Sequence, residues 1–308
     1  MVDDFEMIKI LITGGNGQVG SELSKKLASI GQLTVLTRHQ LDLANTPLIQ
    51  QVLNDIQPDI IINAAAYTAV DRAETDIEQA MAINAIAPKI FAEWSENNGS
   101  LLIHYSTDYV FDGQKTGKYK EEDQTRPKSI YGQSKREGEK AICLATKKYV
   151  TLRTSWVFSV HGNNFLKTML RLSKERNEMN IVSDQIGAPT SARLIADVTK
   201  KIIEQYVQST ENFDYGLYHL TAQGETSWYE YAKYVIDIAS TREVDLKLKA
   251  QDIHPILSSE YPVAAQRPLN SRLDCSRLMQ NFNIQLPDWK QDVKQDVECL
   301  CDSKFINK

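Results

Sequence analysis

Two residues that can move a proton stand four positions apart in the segment Tyr131-Gly132-Gln133-Ser134-Lys135. The segment follows Pro127 and Ser129 and has helical character, so Tyr131 and Lys135 are predicted to share one helical face. A tyrosine with a pKa of about 10 is a poor acid-base catalyst at neutral pH, but a neighbouring ammonium lowers that pKa. Because Y-x-x-x-K is also common as an ordinary surface pair on charged helices, the spacing alone does not identify a site.

A hydroxyl group that can join this pair lies upstream. The apolar run Leu101 to Tyr105 ends in Ser106-Thr107-Asp108, and open α/β sheets bind their ligands at the carboxyl ends of such strands. We expect Thr107 to orient a substrate carbonyl by a hydrogen bond. The three residues together favour ketone reduction, with Tyr131 as proton donor, Lys135 as its electrostatic partner and Thr107 as carbonyl orienter.

A glycine-rich loop suggests what supplies the hydride. Thr13-Gly14-Gly15-Asn16-Gly17-Gln18-Val19-Gly20 follows the first apolar run and opens a helical segment. Glycines permit a tight turn, and the free N–H groups and dipole of the helix start attract a pyrophosphate, as in dinucleotide-binding proteins. The spacing G-x-x-G-x-x-G departs from the commoner fingerprint, so a purely structural turn is the alternative.

Two further segments are candidates for contact with a nicotinamide cofactor. Arg38 follows the second apolar run, where no acid is placed to bind ribose hydroxyls, and it would suit the 2′-phosphate of NADPH. The alternative interpretation, that Arg38 is an ordinary exposed surface arginine, has equal weight. We assign Asp42 and Leu43 to the adenine side, and the small side chains of Asn63-Ala64-Ala65-Ala66 to close approach by a planar cofactor, although packing alone also selects alanines.

The elements that must position these residues alternate between short β-branched runs and helix-length segments. This alternation predicts an α/β fold, a Rossmann-type doubly wound parallel sheet with helices on both faces. We assign residues 1–156 to this NAD(P)-binding domain, and residues 157–308 mainly to a smaller substrate-binding lobe, with some segments returning to the first domain. Ser227 and Glu230 have capping-box spacing, which predicts a helix starting at Trp228. The predicted strands are Ile8 to Ile12, Leu33 to Leu36, Asp59 to Ile62, Leu101 to Tyr105 and Val150 to Leu152.

Composition narrows the class of protein. A net charge of -5 argues against binding to nucleic acid, and the first apolar run is too short to span a membrane. Acidic Asp3, Asp4 and Glu6 precede that run, which is the wrong sign for a secretory signal, so we expect a cytoplasmic protein. The cysteines form no zinc or disulfide pattern and are interpreted as small, partly buried side chains: Cys143, Cys275, Cys299 and Cys301.

Several longer motifs carry a family resemblance along nearly the whole chain. They are Asn63 to Asp71, His104 to Phe111, Thr154 to Phe158, Gly162 to Phe165, Asp184 to Thr190 and Arg267 to Arg272. With the glycine loop and the Tyr–Lys pair, they resemble the extended short-chain dehydrogenase/reductase family, in particular its reductases of dTDP-linked 4-dehydro-deoxysugars. The resemblance implies reduction of the C4 ketone of dTDP-4-dehydro-6-deoxy-L-mannose to dTDP-L-rhamnose, with NADPH favoured as cofactor and NADH left open.

The resemblance also implies a role for individual residues. The catalytic residues would be Thr107, Tyr131 and Lys135. The cofactor would contact Tyr131, Lys135 and the residues Gly14, Asn16, Gly17, Gln18, Val19, Arg38, Asp42, Leu43, Ala65, Ala66, Tyr67 and Thr68. The dTDP-sugar would contact Thr107, Tyr131 and the residues Val70, Asp108, Trp156 and Arg267, of which Arg267 would suit the pyrophosphate as a guanidinium.

Three other functions are compatible with the same scaffold, and the family resemblance also raises the question of a magnesium site. Sugar-nucleotide dehydratases on this scaffold commonly carry Asp-Glu after the threonine, whereas Tyr109 follows Asp108 here. An epimerase would retain its cofactor tightly. A cofactor-sensing regulatory subunit, similar to the β subunit of methionine adenosyltransferase, would not need turnover. Some family members dimerise through magnesium held by glutamates; here Glu22 is kept but Arg193 and Lys290 replace the others, so we expect no metal and a monomer or homodimer.

Overall fold

The computed structural model describes residues 7–242 and 244–303, and a parallel sheet of six strands is its largest element. The expectations for Asp3, Asp4 and Glu6 lie outside the described residues. The strands are β1 (Lys9–Thr13), β2 (Gln32–Leu36), β3 (Ile60–Asn63), β4 (Leu101–Thr107), β5 (Tyr149–Thr154), β6 (Val157–Phe158), β7 (Met179–Val182), β8 (Ile186–Gly187), β9 (Thr190–Ser191), β10 (Gly216–His219), β11 (Thr226–Ser227) and β12 (Ile253–Ile256).

The order of the large sheet is β10-β5-β4-β3-β1-β2, and all of its neighbouring strands run parallel. The chain moves outward from β1 to β2 and then crosses back to β3. The direction of winding therefore reverses between β1 and β3, where a crevice opens at the carboxyl ends of the strands. The predicted Rossmann-type, doubly wound α/β fold is confirmed.

Helices cover both faces of this sheet. They are α1 (Gln18–Leu27), α2 (Thr46–Ile56), α3 (Val70–Ala73), α4 (Ile77–Met81), α5 (Ala87–Asn98), α6 (Ile130–Ala145), α7 (Phe165–Glu175), α8 (Ala192–Gln208), α9 (Trp228–Ser240), α10 (Ser276–Asn281) and α11 (Trp289–Asp302). A π-helical turn, Ala82–Ile86, joins α4 to α5. Short 3₁₀ turns occur at Asp108–Val110, Ala250–Asp252 and Ser258–Glu260.

Alternate residues of the strands build two separate apolar cores. Leu11, Ile61 and Leu102 pack with α2, α5 and α6 on one face. Ile10, Ile62 and Ile103 pack with α1, α7 and α8 on the other face. Because both faces are covered, the strands are apolar almost throughout, as expected for a buried parallel sheet.

The second half of the chain adds small two-stranded pairings and one strand of the large sheet. β6 pairs with β9, β7 with β12 and β8 with β11. β10 instead lies beside β5 at the edge of the large sheet, so the chain returns to that sheet after residue 156. The division into a cofactor domain and a substrate lobe stays a prediction.

The sequence located the strands well and their ends less well. β4 continues to Thr107, because Ser106 and Thr107 still pair with β5; Thr107 is therefore the last residue of a strand. The helix predicted at Trp228 begins there, and the Ser227 hydroxyl accepts a hydrogen bond from the Glu230 N–H at 3.1 Å.

Cys275 and Cys301 are buried, but Cys143 and Cys299 are exposed, contrary to the expectation of partial burial.

Candidate active site

The glycine loop forms one wall of the crevice between β1 and β3. Gly14 has a φ of +69°, and a Cβ there would lie 2.9 Å from the backbone of Ala65. A Cβ on Gly20 would lie 2.2 Å from the Gly14 carbonyl oxygen. The first turn of α1 has neither a side-chain cap nor an acidic residue, so its N–H groups and dipole are available to an anion.

The opposite wall is the stretch from Ala64 to Thr68, and a residue that sequence reasoning missed holds it in place. Asn84 accepts a hydrogen bond from the Tyr67 N–H at 2.9 Å, and its amide donates to the Tyr67 carbonyl at 3.0 Å. The same amide donates to the Ser134 hydroxyl on α6 at 3.0 Å. Asn84 lies in the π-helical turn, a conformation that is frequent at functional sites.

Arg38 and Asp42 lie at the end of the cleft beyond β2. Arg38 is exposed, and no ion pair to it occurs within residues 7–242 and 244–303. The Asp42 carboxylate accepts a hydrogen bond from the Ala44 N–H at 3.0 Å, so it stabilises its own turn. The free guanidinium at this end of the cleft fits an anionic group on a ligand.

The catalytic candidates meet at the carboxyl ends of β4 and β5. Ser129 caps α6, since its hydroxyl accepts a hydrogen bond from the Gly132 N–H at 3.1 Å, and this places Tyr131 in the first turn. Tyr131 packs edge-on against Tyr109 with ring centroids 5.5 Å apart. The Thr107 hydroxyl donates to the Asp108 carboxylate at 3.1 Å.

The pKa of Tyr131 differs from the sequence expectation. Burial raises it to about 12, while a hydrogen bond with Thr107 lowers it and the charge of Asp108 raises it. The expectation that Lys135 lowers this pKa is wrong for the described geometry, because the Lys135 amine is directed elsewhere: it donates to the Tyr105 carbonyl at 2.7 Å and lies 3.2 Å from His104 Nε2. Burial lowers the pKa of Lys135 itself to about 8, opposed by the charge of Glu139.

A buried ion pair supports this corner from below. Arg153 on β5 makes two hydrogen bonds of 2.7 Å to the Glu139 carboxylate, and Ser106 donates to the same carboxylate at 2.6 Å. Glu139 lies one helical turn after Lys135 on α6. The pair therefore ties the catalytic helix to the ends of β4 and β5, through groups that are all buried.

Arg267 and Trp156, which are predicted to contact the substrate, have different surroundings. Arg267 donates to the Asp71 carboxylate at 2.7 Å, next to Val70 at the start of α3. Its Nη1 is buried and has no hydrogen-bond partner among the described residues. Trp156 has a φ of +50° and stacks on Trp228 with ring centroids 3.7 Å apart. Such strain in a bulky residue is typical of a functional position.

All the predicted cofactor residues line one cleft of about 610 Å³. Tyr131 and Lys135 line it too, whereas Thr107, Asp108, Val70, Trp156 and Arg267 do not. Ala64, expected to allow close approach by a planar cofactor, also lines the cleft. Sequence reasoning missed the remaining lining residues, which are Leu41, Ala69, Arg72, Ile83, Tyr105, Ser106, Thr154, Val157, Gly162 and Asn163. The motif that begins at Gly162 pointed to part of this set: Asn164 donates to the Gln18 side chain at 2.8 Å.

Of the three positions expected to decide on magnesium, Glu22 and Arg193 form ion pairs, and the Lys290 amine lies over the ring of Trp289 at 5.8 Å. Glu22 lies 3.0 Å from the Lys25 amine, and Arg193 pairs with Asp292 at 3.2 Å and with Asp296 at 3.0 Å. Within the described part of the chain, no group of three or more His, Cys, Asp or Glu side chains is arranged to hold a metal ion. In the same residues, no helix is both long and apolar enough to cross a membrane.

Comparison with known proteins decides the family. A family model described as "RmlD substrate binding domain" matches residues 8–301. The chain belongs to the RmlD substrate-binding-domain family. Its resemblance to the sugar-nucleotide reductases, stated from the motifs, is confirmed.

Relatives and solved structures in this family agree. A dTDP-4-dehydrorhamnose reductase from Burkholderia thailandensis is 46% identical over 290 residues, covering 93% of this chain and 97% of the relative. One from Escherichia coli (strain K12) is 43% identical, covering 94% and 96%. The crystal structure of such a reductase from Clostridium acetobutylicum is 35% identical, with a TM-score of 0.87 over 95% of this chain and 99% of that one. That from Bacillus anthracis, in complex with NADP, is 36% identical, with a TM-score of 0.84 over 94% and 98%.

Proposed function

We propose that this chain is an NADPH-dependent reductase that converts the C4 ketone of dTDP-4-dehydro-6-deoxy-L-mannose into dTDP-L-rhamnose. One observation carries the proposal. Tyr131 and Lys135 line the same cleft as the glycine loop and the Ala64 to Thr68 stretch, so a proton donor and a dinucleotide cradle share one space. The names of the relatives supply the substrate, dTDP-4-dehydrorhamnose.

The residues of the cleft fit a nicotinamide dinucleotide. The glycine loop has no side chain that would block a pyrophosphate, and the start of α1 provides N–H groups for it. Arg38 is the cation for a 2′-phosphate, and the Bacillus anthracis structure is in complex with NADP; NADH is the second candidate cofactor. When bound, the reduced nicotinamide supplies the hydride that the sugar carbon accepts.

Tyr131 is proposed as the proton donor to the developing alkoxide. With a pKa raised to about 12 by burial, the phenol is protonated at neutral pH, which is the form that a reduction requires. Thr107, the last residue of β4, would orient the ketone oxygen toward the phenolic proton. Lys135 would contribute positive charge as the phenolate forms, and would contact the cofactor ribose.

The sugar nucleotide is proposed to lie between Arg267 and Trp156. The buried Nη1 of Arg267 has no partner among the described residues, which suits a pyrophosphate oxygen. Asp71 holds the other nitrogen of the guanidinium and so fixes its plane. Val70, Asp108 and the face of Trp156 would complete the sugar and nucleotide contacts.

The alternative chemistries lack support at the residues that would perform them. A dehydratase needs a second proton carrier after Asp108, and Tyr109 there is a partly buried phenol whose pKa is raised by desolvation. An epimerase or a cofactor-sensing regulatory subunit would bind cofactor without net oxidation. A cytoplasmic location, a monomeric or homodimeric state, and the boundary near residue 156 stay predictions.

The decisive experiment follows the absorbance of the reduced nicotinamide after mixing the protein with NADPH and dTDP-4-dehydro-L-rhamnose. We expect substrate-dependent oxidation, with dTDP-L-rhamnose as product. No oxidation with either NADPH or NADH would refute the reductase. NAD⁺ that copurifies tightly, with interconversion of sugars and no net oxidation, would instead indicate an epimerase.

A matched pair of variants tests the proton donor. Tyr131→Phe should lower kcat by roughly 10² or more and leave cofactor affinity nearly unchanged. Tyr229→Phe removes a hydroxyl on α9 that does not line the cleft, and should have normal turnover. Near-normal turnover of Tyr131→Phe would show that another group donates the proton.

A further inference from the structure

A row of polar side chains crosses the sheet beside the active site. Thr13, Asn63 and His104 occupy paired positions on β1, β3 and β4, and each is 1% exposed. Two positions earlier on each strand, the same face carries only Leu11, Ile61 and Leu102. Because burial of polar groups is unfavourable unless they are hydrogen-bonded, a buried row of this kind needs a structural or functional reason.

Hydrogen bonds connect the row from the cofactor cleft to the catalytic lysine. The Ala65 N–H donates to the Thr13 hydroxyl at 3.2 Å, and that hydroxyl donates to Asn63 Oδ1 at 2.8 Å. Asn63 Nδ2 is 3.1 Å from His104 Nδ1, and His104 Nε2 is 3.2 Å from the Lys135 amine. The imidazole therefore lies between the Asn63 side-chain amide, which can rotate by about 180°, and the Lys135 amine, which can be charged or neutral.

The surroundings keep the ring neutral and leave the lysine able to titrate. Burial and the charge of Lys135 lower the pKa of His104 well below its usual value of 6.5. The lysine is faced by His104 and the Tyr105 carbonyl from β4, and by the Glu139 carboxylate from its own helix. Burial lowers the pKa of Lys135 to about 8, so both of its charge states are accessible near neutral pH.

The donor and acceptor roles along this series of hydrogen bonds can be arranged in two ways. In the first, Asn63 Nδ2 donates to His104 Nδ1, so the ring proton lies on Nε2 and points at the lysine nitrogen, which must then be a neutral amine. In the second, the Asn63 amide is turned over and Oδ1 accepts from Nδ1–H. Nε2 is then an acceptor for the Lys135 ammonium. A neutral imidazole fits each charge state of the lysine with one of its two tautomers.

We propose that His104 is a positioning residue for the reduction, which holds the Lys135 amine in both charge states by reversing the hydrogen-bonded chain through Asn63 to Thr13. The inference rests on the proposed reductase function. It adds that the Lys135 amine keeps its place against His104 and the Tyr105 carbonyl whether it is charged or neutral. Its far end, at Ala65, lies in the wall of the cofactor cleft, so this support is shared with the cofactor site.

The first test observes the ring directly and needs no turnover. In protein labelled with ¹⁵N-histidine, the His104 signal can be assigned among the 5 histidines by its loss in His104→Gln. We expect a neutral ring throughout, with the proton on Nδ1 below the Lys135 titration and on Nε2 above it. A single tautomer across the titration, or an imidazolium near neutral pH, would overturn the proposal even if the protein is a reductase.

The second test uses the pH profile of kcat. Methionine and glutamine are similar in size, but only glutamine can offer the lysine either a donor or an acceptor. In His104→Met the ammonium loses an acceptor, so the alkaline limb should move to lower pH by about one unit. In His104→Gln the limb should stay near its original position. A residue that merely packs would lower kcat or stability in both variants and leave the limb in place.

Thr151→Val is the matched control. Thr151 lies on β5, the neighbour of β4 opposite to β3, and is paired there with His104. It is 1% exposed, and its hydroxyl has no partner among the described residues. Its replacement should leave the limb unchanged. If the alkaline limb of the kcat profile lies at the same pH in His104→Met and His104→Gln, the proposal is overturned. Should the methionine variant not fold, the NMR titration of the unmodified protein decides by itself.

Discussion

Replacement of Asp108 by asparagine is expected to stabilise the fold at neutral pH and not in acid. Asp108 is 2% exposed and stands between Thr107 and Tyr109 at the end of β4. Burial raises its pKa from 3.8 to about 6, while hydrogen bonds from Ser271 and Thr107 lower it. The ionised carboxylate is therefore less stable in the folded protein than in the unfolded chain.

The size and sign of the effect follow from that pKa. Each unit corresponds to about 1.4 kcal/mol, so the ionised group is unfavourable to folding by about 3 kcal/mol. Because the folded pKa is the higher one, the contribution of Asp108 is most favourable below pH 4 and is lost as the pH rises through 6. Asparagine does not titrate, and its amide oxygen can still accept the hydrogen bond from Thr107. The advantage of Asp108→Asn should thus grow by about 2.5 kcal/mol between pH 4 and pH 7.5.

Urea unfolding of both proteins at pH 4, 5, 6 and 7.5 measures this difference. An effect of the substitution on packing that does not depend on pH cancels when the differences at the four pH values are compared. The titration of Asp296, whose pKa burial also raises to about 6, cancels as well because it occurs in both proteins. Asp55→Asn, at an exposed position of α2, is the control and should show little change with pH. The reasoning is refuted if the difference between Asp108→Asn and the unmodified protein is the same at all four pH values.

Three further substitutions test other parts of the site. Arg38→Gln should raise the KM for NADPH about tenfold or more and change that for NADH little, because the guanidinium would pair only with the 2′-phosphate; equal changes would place Arg38 outside the cofactor site. Gly20→Ala puts a Cβ 2.2 Å from the Gly14 carbonyl oxygen and should weaken cofactor binding in a fluorescence titration, whereas unchanged affinity would show that the loop can shift freely. Arg153→Met removes the partner that makes two 2.7 Å hydrogen bonds to the buried Glu139 carboxylate, and leaves that carboxylate with Ser106 and the more distant Arg136. The change should lower the free energy of unfolding by about 3 kcal/mol in urea; a loss below about 1 kcal/mol would mean that Glu139 is protonated or hydrated instead.

Local patterns were enough to predict the sheet and much of the cleft. β-branched runs locate the strands because a parallel sheet is buried on both faces, and the glycine spacing marks the loop because only glycine allows such close backbone approach. Tyr131 and Lys135 share a helical face through helical geometry alone. In each case the signal lies within one element or at its end, where neighbours in sequence are neighbours in space.

The tertiary structure alone decided which partners these groups meet. Asn84 reaches Tyr67 and Ser134, and Thr13, Asn63 and His104 align only because β1, β3 and β4 are adjacent in the sheet. The direction of the Tyr131 pKa depends on burial and on where the Lys135 amine points, which residue spacing does not encode. Charge state and hydrogen-bond direction are set by the packing of segments far apart in sequence, because desolvation acts only once the chain has closed around a group.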